Sequence, residues 1–489
     1  MRYSVYKQLI GVMASVVEAV KHIKENLNSV NMLVDCVEAI TTVKGILEFN
    51  KEEICNEINC FFDKVNEVVD CIEKGNDYSS KISEILELVV RINEFCNREV
   101  KYRFRIVFFA ELGAKWDSMD SVYWAYKNRE NCDVDVVIAP IFRAIKLADG
   151  KIRSDVIYED YLTKMGIKHI PFQKYDIKKD LPDLVFTSQP YESVTSEQFW
   201  AENIAPYTHL VYLPYFTTSG FVEDEQKYVQ CQMPIHKLAW RVICQSEKVK
   251  EAYKKYSLVG GKNLMACGLP KWDYVVNMKN KEIDLPKDWE KLKGKKVILR
   301  NFHYNMTSPE HLIDVLYELV EECAGTAVGF ICRFHPMLET MFKVYYPNYK
   351  EKWEKVKNDI DISTNVVIDR NFNYDYAFKF SDIFLTGQTS LISQYLLTKK
   401  PVVTMYWSFF EKTKELEKTD DVFMKMTELY GTTTRDNGYE LCKKILNDGD
   451  CEYEERMKFI EKNFPNADGK IGERLANQLL KELLEEDKD

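Results

Sequence analysis

Through the first hundred residues apolar side chains recur every three or four positions. They run Leu9, Val12, Val16, Val20, Ile23 and Leu27, then Val30, Val34, Val37 and Ile40. The rhythm resumes at Ile54, Ile58, Phe62, Val65, Val69 and Ile72, and again at Ile82, Ile85, Val89 and Ile92. Such spacing gathers them on one face of successive α-helices. Asn50 and Gly75-Asn76-Asp77 read as breaks between helices, and no proline occurs before Pro140. Residues 1–100 are therefore expected to form an all-α arm, a hairpin or a bundle.

At Tyr102 the period changes. Short apolar runs over 103–109, 134–140, 167–171, 184–187, 210–213 and 239–244 predict strands, and helical pieces such as 116–129 lie between them. Alternation of this kind builds a parallel, doubly wound sheet. A turn-rich stretch follows at Val259-Gly260-Gly261 and Gly268-Leu269-Pro270. A second α/β unit opens at 297–300 and continues through strands at 328–333, 366–368, 383–385 and 402–406. The reading is an α/β protein with two Rossmann-like domains, 101–270 and 271–480, and an acidic tail over 481–489.

Composition narrows the classes. With 46% hydrophobic and 29% charged residues the chain is of globular type. A formal net charge of -10 argues against a general nucleic-acid binder. No run reaches eighteen apolar residues, and the N-terminus, with Arg2, Glu18 and Lys21, has no leader pattern. The arm holds eleven basic and seventeen acidic residues, which suits packing or self-association better than an anionic membrane. At most a peripheral membrane contact is expected. The thirteen cysteines are scattered, with no CxxC pair and no zinc spacing. Cys36, Cys55, Cys244 and Cys332 sit inside apolar runs, so a reducing cytoplasm is expected, with the inner face of the plasma membrane as the place of any membrane contact.

Candidate chemistry lies at the carboxyl ends of the second domain's strands, where open α/β sheets bind ligands. Those ends read Arg300-Asn301-Phe302-His303, Arg333-Phe334-His335-Pro336, Asp369-Arg370 and Thr386-Gly387-Gln388-Thr389-Ser390. The last is a strand that breaks at glycine and enters a helix through hydroxyl residues, a setting for phosphate. Together these segments offer guanidinium, imidazole and hydroxyl groups for a pyrophosphate. Arg300 and Arg333 could clamp phosphate or be salt-bridged at strand edges. Asp117 and Asp120 lie near a helix start, where N-capping and acceptor binding are both open. Asp133-Val134-Asp135 has the DxD form of a metal site but precedes its strand. No obligatory metal or other cofactor is expected, and His209 and His236 read as structural.

These segments resemble the CDP-glycerol glycerophosphotransferases that build teichoic-acid-like polymers, which have the two-domain GT-B fold. In that family, segments like Arg333-Phe334-His335-Pro336 and 381–390 hold the donor's phosphates. Gly268-Leu269-Pro270-Lys271-Trp272-Asp273 is similar to the family's Gly-x-Pro-x-x-Asp element. The segments at 116–123, 189–192 and 211–216 look like a less-studied branch, and the resemblance covers about 102–444. It implies Arg300, Arg333, Gln388, Thr389 and Ser390 as donor ligands and His335 and His303 as catalytic groups. Asp117, Tyr191, Glu192 and Tyr215 would line the acceptor side. The chain departs from the family twice. Gly387 stands where relatives carry an acid, and Pro214-Tyr215-Phe216-Thr217-Thr218-Ser219-Gly220 has no histidine where relatives carry His-Gly-Thr. The expected reaction moves a phosphoglycerol or similar phosphopolyol from a CDP-activated donor to a polymer or lipid-linked glycan acceptor, releasing CMP. The alternatives are a GT-B glycosyltransferase using a sugar nucleotide and an inactive relative acting as a scaffold.

Overall fold

In the computed structural model the arm folds into helices Tyr3–Glu25, Leu33–Leu47, Glu52–Glu73 and Ser79–Glu99, with a 3-10 segment Leu27–Met32. The structure describes residues 1–47, 52–111, 113–146, 152–157, 161–218, 227–304, 308–371, 373–387, 389–405, 431–432 and 435–486. Met13, Val20, Ile40, Ile58, Phe61, Val68, Ile85 and Val89 are fully or almost fully buried and fill the arm's core. Three positions of the expected stripe fall outside it, because Val34, Val69 and Ile72 are 64%, 47% and 46% exposed. Leu33 and Val68, one position earlier, are buried instead. Alternating three- and four-residue steps average about 3.5 and drift slowly against a helix of 3.6 residues per turn, so positions at the margin of the stripe leave the core face. Gly75 (φ 66) follows the third helix, and the Asp77 carboxylate accepts from the Ser79 N–H at 3.0 Å to begin the fourth. Asn50 lies outside the described residues. The arm through residue 105, with 129–133 and the chain from 484, forms one compact unit. Residues 106–128 and 134–483 form the other.

The second unit carries two doubly wound sheets. The first uses strands β1 (Phe104–Ala110), β2 (Cys132–Ile138), β5 (Ile170–Pro171), β6 (Leu184–Thr187), β7 (His209–Tyr212), β8 (Arg241–Cys244) and β9 (Leu264–Ala266), in the order β5-β2-β1-β6-β7-β8-β9. A separate antiparallel hairpin pairs β3 (Ile141–Lys146) with β4 (Ile152–Ile157). The second sheet uses β10 (Lys296–Phe302), β11 (Val328–Phe334), β12 (Val366–Ile368), β13 (Ile383–Thr386), β14 (Val402–Met405) and β15 (Gly431–Thr432). Its order is β12-β11-β10-β13-β14-β15, and its pairings are parallel. In each sheet the order turns back between two central strands, β1 and β6 or β10 and β13, and that switch point opens a crevice at the carboxyl edge. The hairpin and the edge strands β9 and β15 go beyond the expected strands. Tyr406, the expected end of β14, lies outside the described residues.

Sequence explains the strands. Ile298, Phe330, Ile331, Cys332, Ile383 and Phe384 are buried almost completely, the mark of a parallel sheet covered on both faces. Trp353 stacks on Phe342 at 4.3 Å over this core. All thirteen cysteines are free thiols, and Cys36, Cys244 and Cys332 are buried while Cys55 is half-buried. Asp133 and Asp135 lie inside β2, correcting their expected place before it, and Asp133 is ion-paired to Arg103 at 2.6 Å. No helix among the described residues is long and apolar enough to cross a membrane.

The last helix, Ile471–Glu486, returns to the first domain. Asp273 receives the Ile471 and Gly472 N–H groups at 3.0 and 2.7 Å, capping the helix start with a carboxylate. Tyr126 donates to the Ala476 carbonyl at 3.3 Å, and Arg241 meets Glu482 at 2.7 Å. Gly268 (φ 90) must be glycine, since a Cβ there would lie 2.8 Å from Ile471 Cδ1. The Gly268-to-Asp273 element therefore fastens this helix. Replacing Asp273 with Ala should lower stability by about 1–3 kcal/mol, read as a lower urea midpoint, with Asp273→Asn milder.

His236 is buried on helix Pro234–Leu238 with neither ring nitrogen bonded to protein. Burial pushes its pKa down to about 4. The unfolded chain therefore binds a proton that the folded one refuses, and stability is lost as pH falls from the ordinary histidine range toward pH 4. Native protein should lose up to ~3 kcal/mol across that window, and His236→Phe should flatten the loss; equal acid sensitivity in the variant would disprove this.

Candidate active site

Register brings the two expected histidines together. Phe302 of β10 pairs with Phe334 of β11, so the next residues, His303 and His335, emerge side by side. Their ring centroids lie 5.1 Å apart, and the Tyr304 ring sits 4.3 Å from His303 and 4.7 Å from His335. His335 Nδ1 accepts from the Met337 N–H at 3.1 Å. An accepting Nδ1 places a ring proton on Nε2. Burial lowers the pKa of His303 and keeps that ring neutral.

The arginines do other work. Arg333 is ion-paired with Asp369, and its Nη1 also donates to the Asn371 and Asn373 carbonyls at 3.2 and 2.8 Å. Arg300 Nη1 donates to the Asn301 carbonyl at 3.0 Å, with its guanidinium over the Phe302 ring at 4.7 Å. Of the two readings open in the sequence, the strand-edge tie is the geometry observed, and Arg333 organises the 369–373 segment. A phosphate would have to compete with that network.

Beyond β13, Gly387, Thr389 and Ser390 lead into helix Leu391–Leu396, while Gln388 lies outside the described residues. Thr389 Oγ1 accepts from the Leu391 N–H at 3.4 Å, and Ser390, exposed at the N-cap, makes no side-chain cap bond. The helix is six residues long. Its macrodipole is correspondingly slight, and the hydroxyl groups matter more here than helix charge. A Cβ at Gly387 would meet nothing within 4 Å. Packing at this position does not impose glycine.

Asp117 proves to be neither an N-cap nor an open acceptor ligand, because Met119 occupies the cap of helix Asp120–Lys127. Its carboxylate, 5% exposed, receives Tyr374 Oη at 2.8 Å and Gln394 Nε2 at 3.0 Å. Lys271 Nζ lies 3.8 Å away and donates to the Tyr215 carbonyl. The first domain thus places a carboxylate among groups of the second. Burial raises the Asp117 pKa against the pull of Lys271. Asp120 instead accepts from Trp116 Nε1 at 2.9 Å.

On the first domain's carboxyl edge, Glu192 is used locally, accepting from the Ala201 N–H at 3.1 Å. Burial, with Tyr191 adding to it, raises the pKa of Tyr215. Beside them lies Glu111, buried with Lys115 and Ser188. The sequence reading missed Glu111, Lys271, Tyr374 and Gln394. Glu111 alone had a usable signal, an acid directly after a buried strand. A cavity of about 750 Å³ lined by Met278, Phe378, Leu397, Ile460 and Phe464 is formed by other residues than these edges.

Two doubly wound sheets of this order, with polar groups at both carboxyl edges, define a two-domain GT-B protein. Residues 223–481 match the family described as CDP-Glycerol:Poly(glycerophosphate) glycerophosphotransferase, more than half of the chain, and the protein belongs to that family. It is similar in fold to a variant of the wall teichoic acid polymerase TagF, at 14% identity and a TM-score of 0.50, with 88% of this chain and 99% of that one covered. A UDP-N-acetylglucosamine 2-epimerase described as putative, from Listeria monocytogenes, is similar at 13% identity and a TM-score of 0.51, covering 78% and 97%. The S. aureus MnaA–UDP structure is similar at 14% and 0.50, covering 77% and 96%. At these identities the likeness speaks to the fold. No curated protein matches the chain by sequence.

Removing the Tyr374 hydroxyl (Tyr374→Phe) leaves the buried Asp117 carboxylate short of a donor and should destabilise by about 1–3 kcal/mol. Folding resists the charged form of Asp117, whose pKa is raised, so its contribution worsens as pH rises above the ordinary carboxylate range. The deficit of Tyr374→Phe should therefore be larger at about pH 8 than at about pH 4 in urea titrations.

Proposed function

We propose that the protein moves a phosphoglycerol or similar phosphopolyol group from a CDP-activated donor to a hydroxyl of a surface-polymer or lipid-linked glycan acceptor, releasing CMP. The family match over residues 223–481 carries the reading, because it spans the edge bearing His303, His335, Thr389 and Ser390. An acceptor oxygen attacks the donor's β-phosphorus. The bond from that phosphorus to the bridging oxygen breaks, and its electron pair leaves with CMP. Catalysis of this kind is positioning plus stabilisation of charge on the phosphoryl oxygens. His335 supplies a donor through Nε2, and Thr389 and Ser390 supply hydroxyls. His303, held neutral by burial, orders its neighbour by packing. The reading includes no resident metal, and it sets the reaction in the cytoplasm with the acceptor at the inner membrane face.

Thermal-shift titration with CDP-glycerol, CDP-ribitol, UDP-glucose and CMP tests it. A CDP-polyol and CMP should raise the melting temperature. His335→Ala and Ser390→Ala should each weaken binding about five- to ten-fold, near 1 kcal/mol. Stabilisation by UDP-glucose alone would favour a sugar transferase, and indifference to every nucleotide would favour a scaffold. Unchanged affinity in both variants would move the donor site elsewhere.

A further inference from the structure

Glu111 follows the last residue of β1 and is 4% exposed. A carboxylate at such depth is rare unless paired or functional. Its Oε2 lies 3.4 Å from Lys115 Nζ and receives Ser188 Oγ at 3.4 Å. Ser188 follows β6, the strand beside β1 at the point where the sheet's order turns back. Glu111 therefore sits at the switch-point crevice of the first domain. The groups that touch it are Lys115 from its own segment and Ser188 after β6, and Tyr212 of β7 pairs in register with Thr187, the residue before Ser188. Lys115 Nζ also rests over the Tyr215 ring at 4.5 Å.

These contacts lead across to the second domain. The Tyr215 carbonyl accepts from Lys271, whose Nζ lies 3.8 Å from Asp117, the carboxylate held by Tyr374 and Gln394 of the second domain. Burial first, then the charges of Tyr191, Glu111 and Tyr304, raise the Tyr215 pKa. Tyr304 packs on His303 and His335. Desolvation raises the Glu111 pKa although Lys115 opposes it, moving the carboxyl toward the range where a base works near neutral pH.

We propose that Glu111 is the general base that takes the proton from the acceptor hydroxyl, with Lys115 positioning it. This rests on the phosphotransfer reading above. The acceptor O–H bond breaks and its proton passes to the Glu111 carboxylate. The acceptor oxygen forms a bond to the donor's β-phosphorus, and the pair of the broken P–O bond departs with CMP. Solvent then takes the proton from Glu111.

The test uses the full chain, with CDP-glycerol binding measured by calorimetry and transfer measured as kcat across pH. Glu111→Gln should bind CDP-glycerol within about two-fold of native and transfer about a hundred-fold more slowly or worse. It should also lose the acid limb of the kcat profile, and Glu111→Asp should restore part of the rate. Should Glu111→Gln not fold, Lys115→Met serves: without the ammonium the acid limb should move up by about one pH unit. A Glu111→Gln enzyme that keeps its rate or its acid limb, or a Lys115→Met limb that stays in place, overturns the assignment while the phosphotransfer reading stands. Native protein that neither binds CDP-glycerol nor transfers overturns both.

Discussion

The two sheets depend on one buried negative charge. Asp117 belongs to the first domain, yet its hydrogen bonds come from Tyr374 and Gln394 of the second, with Lys271 of the connecting element close by. A carboxylate so deep is tolerable only while its donors stay in place. Separating the domains would strand it, so the pairing of the sheets is specific as well as adhesive. Tyr374 also packs edge-on against Tyr274, which donates to Asp375 at 2.9 Å, so a second buried carboxylate is held by the same seam.

Much of this was legible in the sequence, and the gaps have physical causes. Parallel strands buried on both faces leave plain apolar runs, and the central strands of both sheets fall where those runs lie. The edge strands β9 and β15 have three and two residues, too short for any period. The β3–β4 hairpin had a signal, Asp149-Gly150 between two apolar-containing runs, which was passed over. The histidine pair was readable because both rings follow strand ends. Its closeness was not, since that depends on register. Asp117 was misplaced because a helix-start aspartate looks like a cap, and partners more than two hundred residues away leave no local mark.

Donor and acceptor chemistry draw differently on the two halves. The second domain's edge offers imidazole rings and hydroxyls, with its arginines tied to neighbouring strand ends. The first domain's edge offers tyrosines around a carboxylate and an ammonium. Where the family resemblance implies a histidine on the first side, the base proposed here is an acid at another strand end. The shared fold and the divergent residues are compatible because a crevice at a switch point is supplied by three or four strand ends, any of which can present the reacting group.

The capped helix that returns from the second sheet to the first has a consequence for how the protein is made. Ile471–Glu486 leaves the ribosome after every strand of both sheets, yet Tyr126, Ser121 and Arg241 of the first domain need it as a partner. The first α/β domain is therefore among the last parts to be completed, and until then its partners for this helix stay uncovered. Domains usually finish in order of synthesis. Here a nascent chain must keep an unfinished surface out of trouble for most of its translation.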